Sequence, residues 1–278
     1  MGRTKIKMNL PELVGFSSSL LIGISLGLIG GGGSILTLPV LVYLLGIDPT
    51  LSTSYSLFIV GVTSLVGALD YVRKGLVDYK AAAIFVTPSL LAVYFTRSFL
   101  LPAIPPHIEL ADGFAVSRKI VIMVFFAIFM LAAALSMIWD AKLTRQNTAT
   151  GKSYNPLVLA GGGLVIGLIT GVVGAGGGFL IIPTLVLLAR IPMKTAVGTS
   201  LLIIAIKSLI GFTGDDIEIT VDWRFLLVFS SLSVTGIFLG SYLAGFVPAT
   251  LLKRIFGWAI FVMSIGIIVK ELVLDTRY

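Results

Sequence analysis

The sequence predicts an all-α polytopic membrane protein of two inverted five-segment repeats, each carrying a short helix or re-entrant hairpin broken at glycine. Two compositional observations and one pattern carry this. Apolar residues make up 57% of the 278 positions before the 31 glycines are counted, more than the surface of a soluble fold can hide. Charged residues are 12%, about half the usual share. The second half of the chain also repeats the glycine, proline and serine pattern of the first. A soluble enzyme, a nucleic-acid binder and a disordered chain are thereby excluded. The net charge of +7 comes from 20 Lys and Arg against 13 Asp and Glu. Those basic residues stand in short connections between apolar runs, where they orient spans and meet lipid head groups of the bilayer. There is no cysteine, so neither a disulfide framework nor thiol chemistry is available.

The basic tail, 1–10, leads into an apolar run at 11–29 with no small-residue cleavage site, and so reads as a retained first span. Runs at 35–46, 50–69, 80–101 and 119–139 complete a first repeat over 11–139. The polar stretch 140–155 reads as a linker. Runs at 156–173, 179–189, 195–213, 224–246 and 251–270 form a second repeat over 156–272, ahead of a tail at 273–278. Most of these runs can cross a hydrocarbon core at 1.5 Å per residue. The runs 35–46 and 179–189 are too short to do so unaided. Each follows a glycine cluster, Gly30-Gly31-Gly32-Gly33 or Gly174-Ala175-Gly176-Gly177-Gly178, where a helix is poorly sustained. Non-helical backbone at that depth survives only when buried in protein or lining a wet cavity.

Placing Gly27 on Gly171 gives an offset of 144 residues that holds without a gap from Leu20 to Lys80. It pairs Gly23 with Gly167, Gly30 with Gly174, Pro39 with Pro183, Ser56 with Ser200, Ser64 with Ser208, and Asp78 with Asp222. Five segments per copy, an odd number of effective crossings, set the second copy upside down relative to the first. Inverted repeats with interrupted helices at matching places are the pattern of secondary transporters, with the site near the midplane. Basic residues divide eight against ten between the two membrane sides, so absolute orientation stays open.

The chemistry-bearing residues follow from the breaks. Unpaired N–H groups at a helix start, with the positive end of its dipole, hold an anion without any charged side chain. Gly31, Gly32, Gly33 and Ser34, with Gly176, Gly177 and Gly178, are therefore candidate substrate ligands. Gly23-x-x-x-Gly27 and Gly167-x-x-x-Gly171 read instead as close helix packing. The clusters are no dinucleotide loop, since no strand precedes them and no acidic residue follows at the right distance. Ser56, Thr199 and Ser200 add hydroxyls that either line a path or bond back to the preceding turn. Lys207 and Arg97 are the charges inside apolar runs. Lys207 lies seven residues from Ser200, on the same helical face, and reads as a counter-charge for a bound anion or as a snorkelling side chain. Arg97, close to Pro102, fits a vestibule. Asp78 and Asp222 read as helix N-caps, and His107 as solvated in the proline-rich connection. No apolar run holds Asp, Glu or His, so no carboxylate relay or cation site is expected. Metal ligation, a cofactor and enzymatic chemistry are likewise not expected.

The segments Gly27–Pro39 and Gly171–Pro183, with the Val-Asp-aromatic triplets at 77–79 and 221–223, resemble the signature of the TauE/SafE family over about 11–272. The resemblance implies a multi-pass permease of a bacterial or archaeal inner (plasma) membrane, acting on sulfite, sulfonates or related organosulfur anions. The expected function is alternating-access export of a small sulfur oxyanion. An anion channel, an uptake permease coupled to H⁺ or Na⁺, and a structural or receptor membrane protein are the alternatives. Association into an oligomer is open.

Overall fold

The computed structural model describes residues 10–100, 107–110, 114–140, 154–173, 178–213, 221–244 and 249–271, with the single positions 103, 105 and 246. Its helices follow the apolar runs, because backbone in hydrocarbon satisfies its own N–H and C=O groups within a helix. The first half comprises α1 (Leu10–Ile29), α2 (Ser34–Pro39), α3 (Pro49–Arg73), α4 (Tyr79–Phe95) and α5 (Arg118–Asp140). The second comprises α6 (Pro156–Val173), α7 (Gly178–Leu187), α8 (Met193–Thr213), α9 (Trp223–Leu243) and α10 (Ala249–Val269). Among the described residues, α3, α4 with the turn after it, α8 and α9 are long and apolar enough to cross a membrane. The linker 140–155 lies almost wholly outside the described residues.

Local sequence explains the boundaries. Asp48 caps α3 by accepting from Thr50 N at 2.9 Å, with Pro49 as the first helical residue. Asp78 Oδ1 accepts from Ala81 N at 3.0 Å and Asp222 Oδ1 from Phe225 N at 3.0 Å, so both aspartates cap as expected. Pro39 cannot donate to the turn before it, and the helix widens into a π turn over Val40–Leu44. A short antiparallel hairpin, β1 (His107–Leu110) with β2 (Phe114–Ser117), departs from pure helix in the connection before α5. His107 thus opens a strand, where a proline-rich loop was expected.

Packing runs between the halves. The helix α1 lies along α9, α6 along α4, α3 along α8, and α5 along α10. Glycine makes the first two approaches possible. A Cβ on Gly23 would strike the carbonyl of Ser233, and one on Gly167 the carbonyl of Ser89. Those two contacts are the same contact displaced by 144 residues. A Cβ on Gly27 would meet Ile237, Ser241 and Gly240; one on Gly171 would meet Thr96, the counterpart of Gly240. The GxxxG pairs are therefore packing surfaces. Gly67 against Leu201 and Gly211 against Leu57 repeat in the same way, each at 3.4 Å.

Hydrogen bonds recur at that offset too. Asp78 N donates to Thr199 Oγ1 at 2.9 Å, and Asp222 N donates to Tyr55 Oη at 2.8 Å. The ends of α2 and α7 match as well, with Ile47 N donating to Leu41 O at 3.0 Å and Ile191 N to Leu185 O at 3.3 Å. The residue ahead of each isoleucine adopts positive φ: Gly46 at 67° and Arg190 at 49°.

Candidate anion site at the helix breaks

Only one residue makes the first break. Gly30 N still donates to Leu26 O at 2.8 Å, closing α1, but Gly30 itself has φ 76° and ψ −121°, a backbone conformation closed to most L residues. Gly31–Gly33 then form a 3₁₀ turn that runs directly into α2. No side chain caps that turn, so the first N–H groups of the new helix carry no cap. The turn folds back on α1: a Cβ on Gly33 would meet Ser25 Oγ, Leu26 N and Ile22 O.

Gly178, the last residue of the second glycine cluster, touches the first break. A Cβ on Gly31 would collide with the backbone of Gly178, and one on Gly178 would lie 2.7 Å from Gly31 O and 2.8 Å from Gly31 Cα. The two breaks are in backbone contact, and glycine at both positions is what lets them be. Gly178 opens α7, one residue earlier than the sequence reading placed it. Gly176 and Gly177 lie outside the described residues.

The expected hydroxyls are used unequally, and Ser34 and Ser200 are the ones beside the first break. Ser34, fully buried, donates to Gly31 O at 2.8 Å and so ties the 3₁₀ turn together. Ser200 Oγ donates to Val197 O at 2.8 Å and stands 3.2 Å from where a Cβ on Gly30 would be. Thr199 Oγ1 accepts from Asp78 N, which commits its oxygen to the start of α4 and leaves its proton to donate. Ser56 Oγ is buried without a hydrogen-bond partner, as are Ser64 and its counterpart Ser208. A buried hydroxyl without a partner carries a desolvation penalty of about 1–3 kcal/mol, which a ligand oxygen would relieve.

Lys207 is buried, 3% exposed, and its Nζ donates to Thr170 Oγ1 at 3.0 Å. Its stem therefore stays inside the bundle, and the ammonium does not snorkel to the boundary. Thr170 was not legible in advance, because it lies within an apolar run at the position matching Leu26. Arg97 sits half-buried in the π turn Thr96–Leu100, next to Thr96, which packs against Gly171.

Sequence reasoning missed a second buried charge. Glu271, just past the end of α10, is 6% exposed. It accepts a hydrogen bond from Tyr43 Oη at 2.8 Å, while Lys270 Nζ lies 4.3 Å from the centre of the Tyr43 ring. The expectation that no apolar run holds a carboxylate did not reach this residue. Glu271 stands one residue beyond the last apolar run, and tertiary packing against the π turn of α2 buries it. Among the described residues no cluster of His, Cys, Asp or Glu could hold a metal.

The family model described as "Sulfite exporter TauE/SafE" matches residues 15–267. A probable membrane transporter protein of Xylella fastidiosa (strain Temecula1) is 30% identical over 265 residues, covering 92% of this chain and 94% of the relative. The probable membrane transporter protein YunE of Bacillus subtilis is 29% identical, over 75% of this chain and 79% of its own length. One from Methanocaldococcus jannaschii is 29% identical, over 72% and 68%. No solved structure matches the chain.

Proposed function

The chain belongs to the TauE/SafE sulfite exporter family, and we propose that it exports a small sulfur-containing oxyanion, such as sulfite or an organosulfonate, by alternating access across the plasma membrane. The observation that carries this is the contact of the two glycine breaks through Gly31 and Gly178. The uncapped amides of Gly31–Gly33 hold the anion together with amides at the start of α7, Ser56 and Ser200 offer oxygen contacts, and Lys207 supplies the counter-charge. The duplicated contacts, above all Asp78–Thr199 and Asp222–Tyr55, support two inverted halves related by a pseudo-two-fold axis. Rocking of those halves about the breaks then opens the site to each side in turn.

A negative interior drives an anion outward with about 2.3 kcal/mol per charge per 100 mV, so export needs no coupling ion. Sulfite efflux from proteoliposomes under an imposed potassium diffusion potential tests this. Efflux that follows the potential in either direction, without a proton or sodium gradient, is the expected result. Efflux insensitive to the potential would sink uncoupled export. One observation favours a second reading, uptake coupled to protons: the buried Glu271 carboxylate beside Tyr43. Flux that requires a pH gradient, and loses that requirement in Glu271→Gln, would establish it instead.

A further inference from the structure

We propose that Thr170 is a positioning residue of the anion site, fixing Lys207 so that the site takes an oxyanion of a single negative charge. This rests on the transporter reading above and adds the charge class of the substrate.

Thr170 stands in the last described turn of α6, the helix that leads into the second glycine cluster, and is 5% exposed. Its Oγ1 donates to Gly167 O at 3.3 Å and accepts from Lys207 Nζ at 3.0 Å. With the threonine proton turned to the backbone, the oxygen lone pairs face the lysine. Lysine is a point charge on a flexible stem with three donors. One donor is held by Thr170, leaving two for a ligand. The turn of α8 that carries Lys207 is also the turn against the second break: Ile204, three residues earlier, has Cδ1 at 2.5 Å from where a Cβ on Gly178 would lie.

The charge balance follows from what is buried. Among the described residues, the buried charged side chains are Lys207 and Glu271, and Glu271 is bound to Tyr43 at the far end of the α2 segment. No ion pair to Lys207 is found among the described residues. The repeat does not supply a second cation, because the positions matching Lys207 and Thr170 are Thr63 and Leu26. One ammonium with one monoanion makes a neutral buried pair. A dianion would leave a net negative charge out of water, and the cost of burying charge rises steeply with its size.

The test uses the full chain in proteoliposomes, with labelled methanesulfonate as the singly charged probe and labelled sulfate as the doubly charged one. The wild-type chain is expected to take methanesulfonate with a KM at least about tenfold below that for sulfate, one decade of binding. Thr170→Val should raise the methanesulfonate KM about tenfold with Vmax within about twofold, whereas Thr170→Ser should stay within about threefold of wild type. Lys207→Met should raise the same KM at least as far and erase the preference between the probes. A wild-type KM in Thr170→Val, or a Thr170→Ser variant as impaired as the valine, overturns the positioning role. Equal use of both probes by the wild type overturns the single-charge claim. If the valine variant does not reconstitute, Thr170→Ser and the wild-type preference decide by the same thresholds. Sulfite flux without these effects overturns this inference alone. Absence of flux for sulfite and both probes in the wild type overturns the transporter reading and this inference with it.

Discussion

The two halves of the molecule share a scaffold and differ in chemistry. Gly23 and Gly167 admit equivalent carbonyls, Asp78 and Asp222 anchor through equivalent hydroxyls, and both broken segments end on the same backbone hydrogen bond. Set against this, the buried lysine and its threonine occur in the second half alone, and the Tyr43–Glu271 pair has Leu187 where the tyrosine's counterpart would be. Positions that determine how helices meet are thus duplicated, while the positions that carry buried charge among the described residues, Lys207 and Glu271, are single. Backbone packing is a symmetric requirement, because each half must accept the other. Binding one anion is not, since a second buried ammonium would repel the first.

The largest break in that comparison is at the junction. Gly31→Leu drives a side chain into the Gly178 backbone, where nothing flexible can give way. Transport should fall to background, and size-exclusion profiles should show loss of the folded monodisperse species. Lys207 comes next: Lys207→Met should lower anion affinity about 10–100-fold, as about 1.4 kcal/mol of lost attraction is one decade. The matched Thr63→Val should change it less than about threefold, because Thr63 only bonds back to Ile59 O at 2.6 Å. Transport assays on the pair would show whether the asymmetry is functional. Smaller and symmetric effects are expected at the anchors. Tyr55→Phe and Thr199→Val each remove one hydrogen bond to a capping aspartate's N–H, and each should cost about 1 kcal/mol of stability. Unequal losses in thermal unfolding would mean the halves are not held alike. The smallest effect is at Arg190, whose φ of 49° strains a residue with a Cβ. Replacing it by the glycine its counterpart Gly46 already has should stabilise by about 0.5–1 kcal/mol, seen as a modest rise in melting temperature.

Much of the scaffold was legible in the sequence because hydrocarbon leaves the backbone few choices. Apolar runs became helices with ends displaced by only a few residues, and aspartates before 79 and 223 became caps. The glycine offset pairs positions, such as Gly23 and Gly167, whose contacts recur in the fold. Less was legible at the site. Thr170 sits where the first half has leucine, so no pattern marks it, and only the fold brings it to Lys207. Glu271 lies beyond the last apolar run, and its burial comes from α2 swinging against the end of α10. The division of labour among the hydroxyls was equally hidden. Ser34 and Ser200 are turned to carbonyls while Ser56 is not, a choice made by local backbone geometry.

The pairing of α1 with α9 and of α6 with α4 also bears on how the chain is made. The helix α6 emerges from the ribosome after its partner α4, which ends at Phe95 before α6 begins at Pro156, and so is received by a surface already in place. The helix α1 has no such surface, because α9 begins only at residue 223. At about 5–20 residues synthesised per second, its glycine face waits roughly 10–40 s in the membrane with no proper neighbour. During that interval the nascent first half needs a temporary companion, whether lipid, the insertion machinery or a membrane chaperone. Biogenesis of this protein is therefore expected to be most fragile before its last fifth, which carries α9, has been translated.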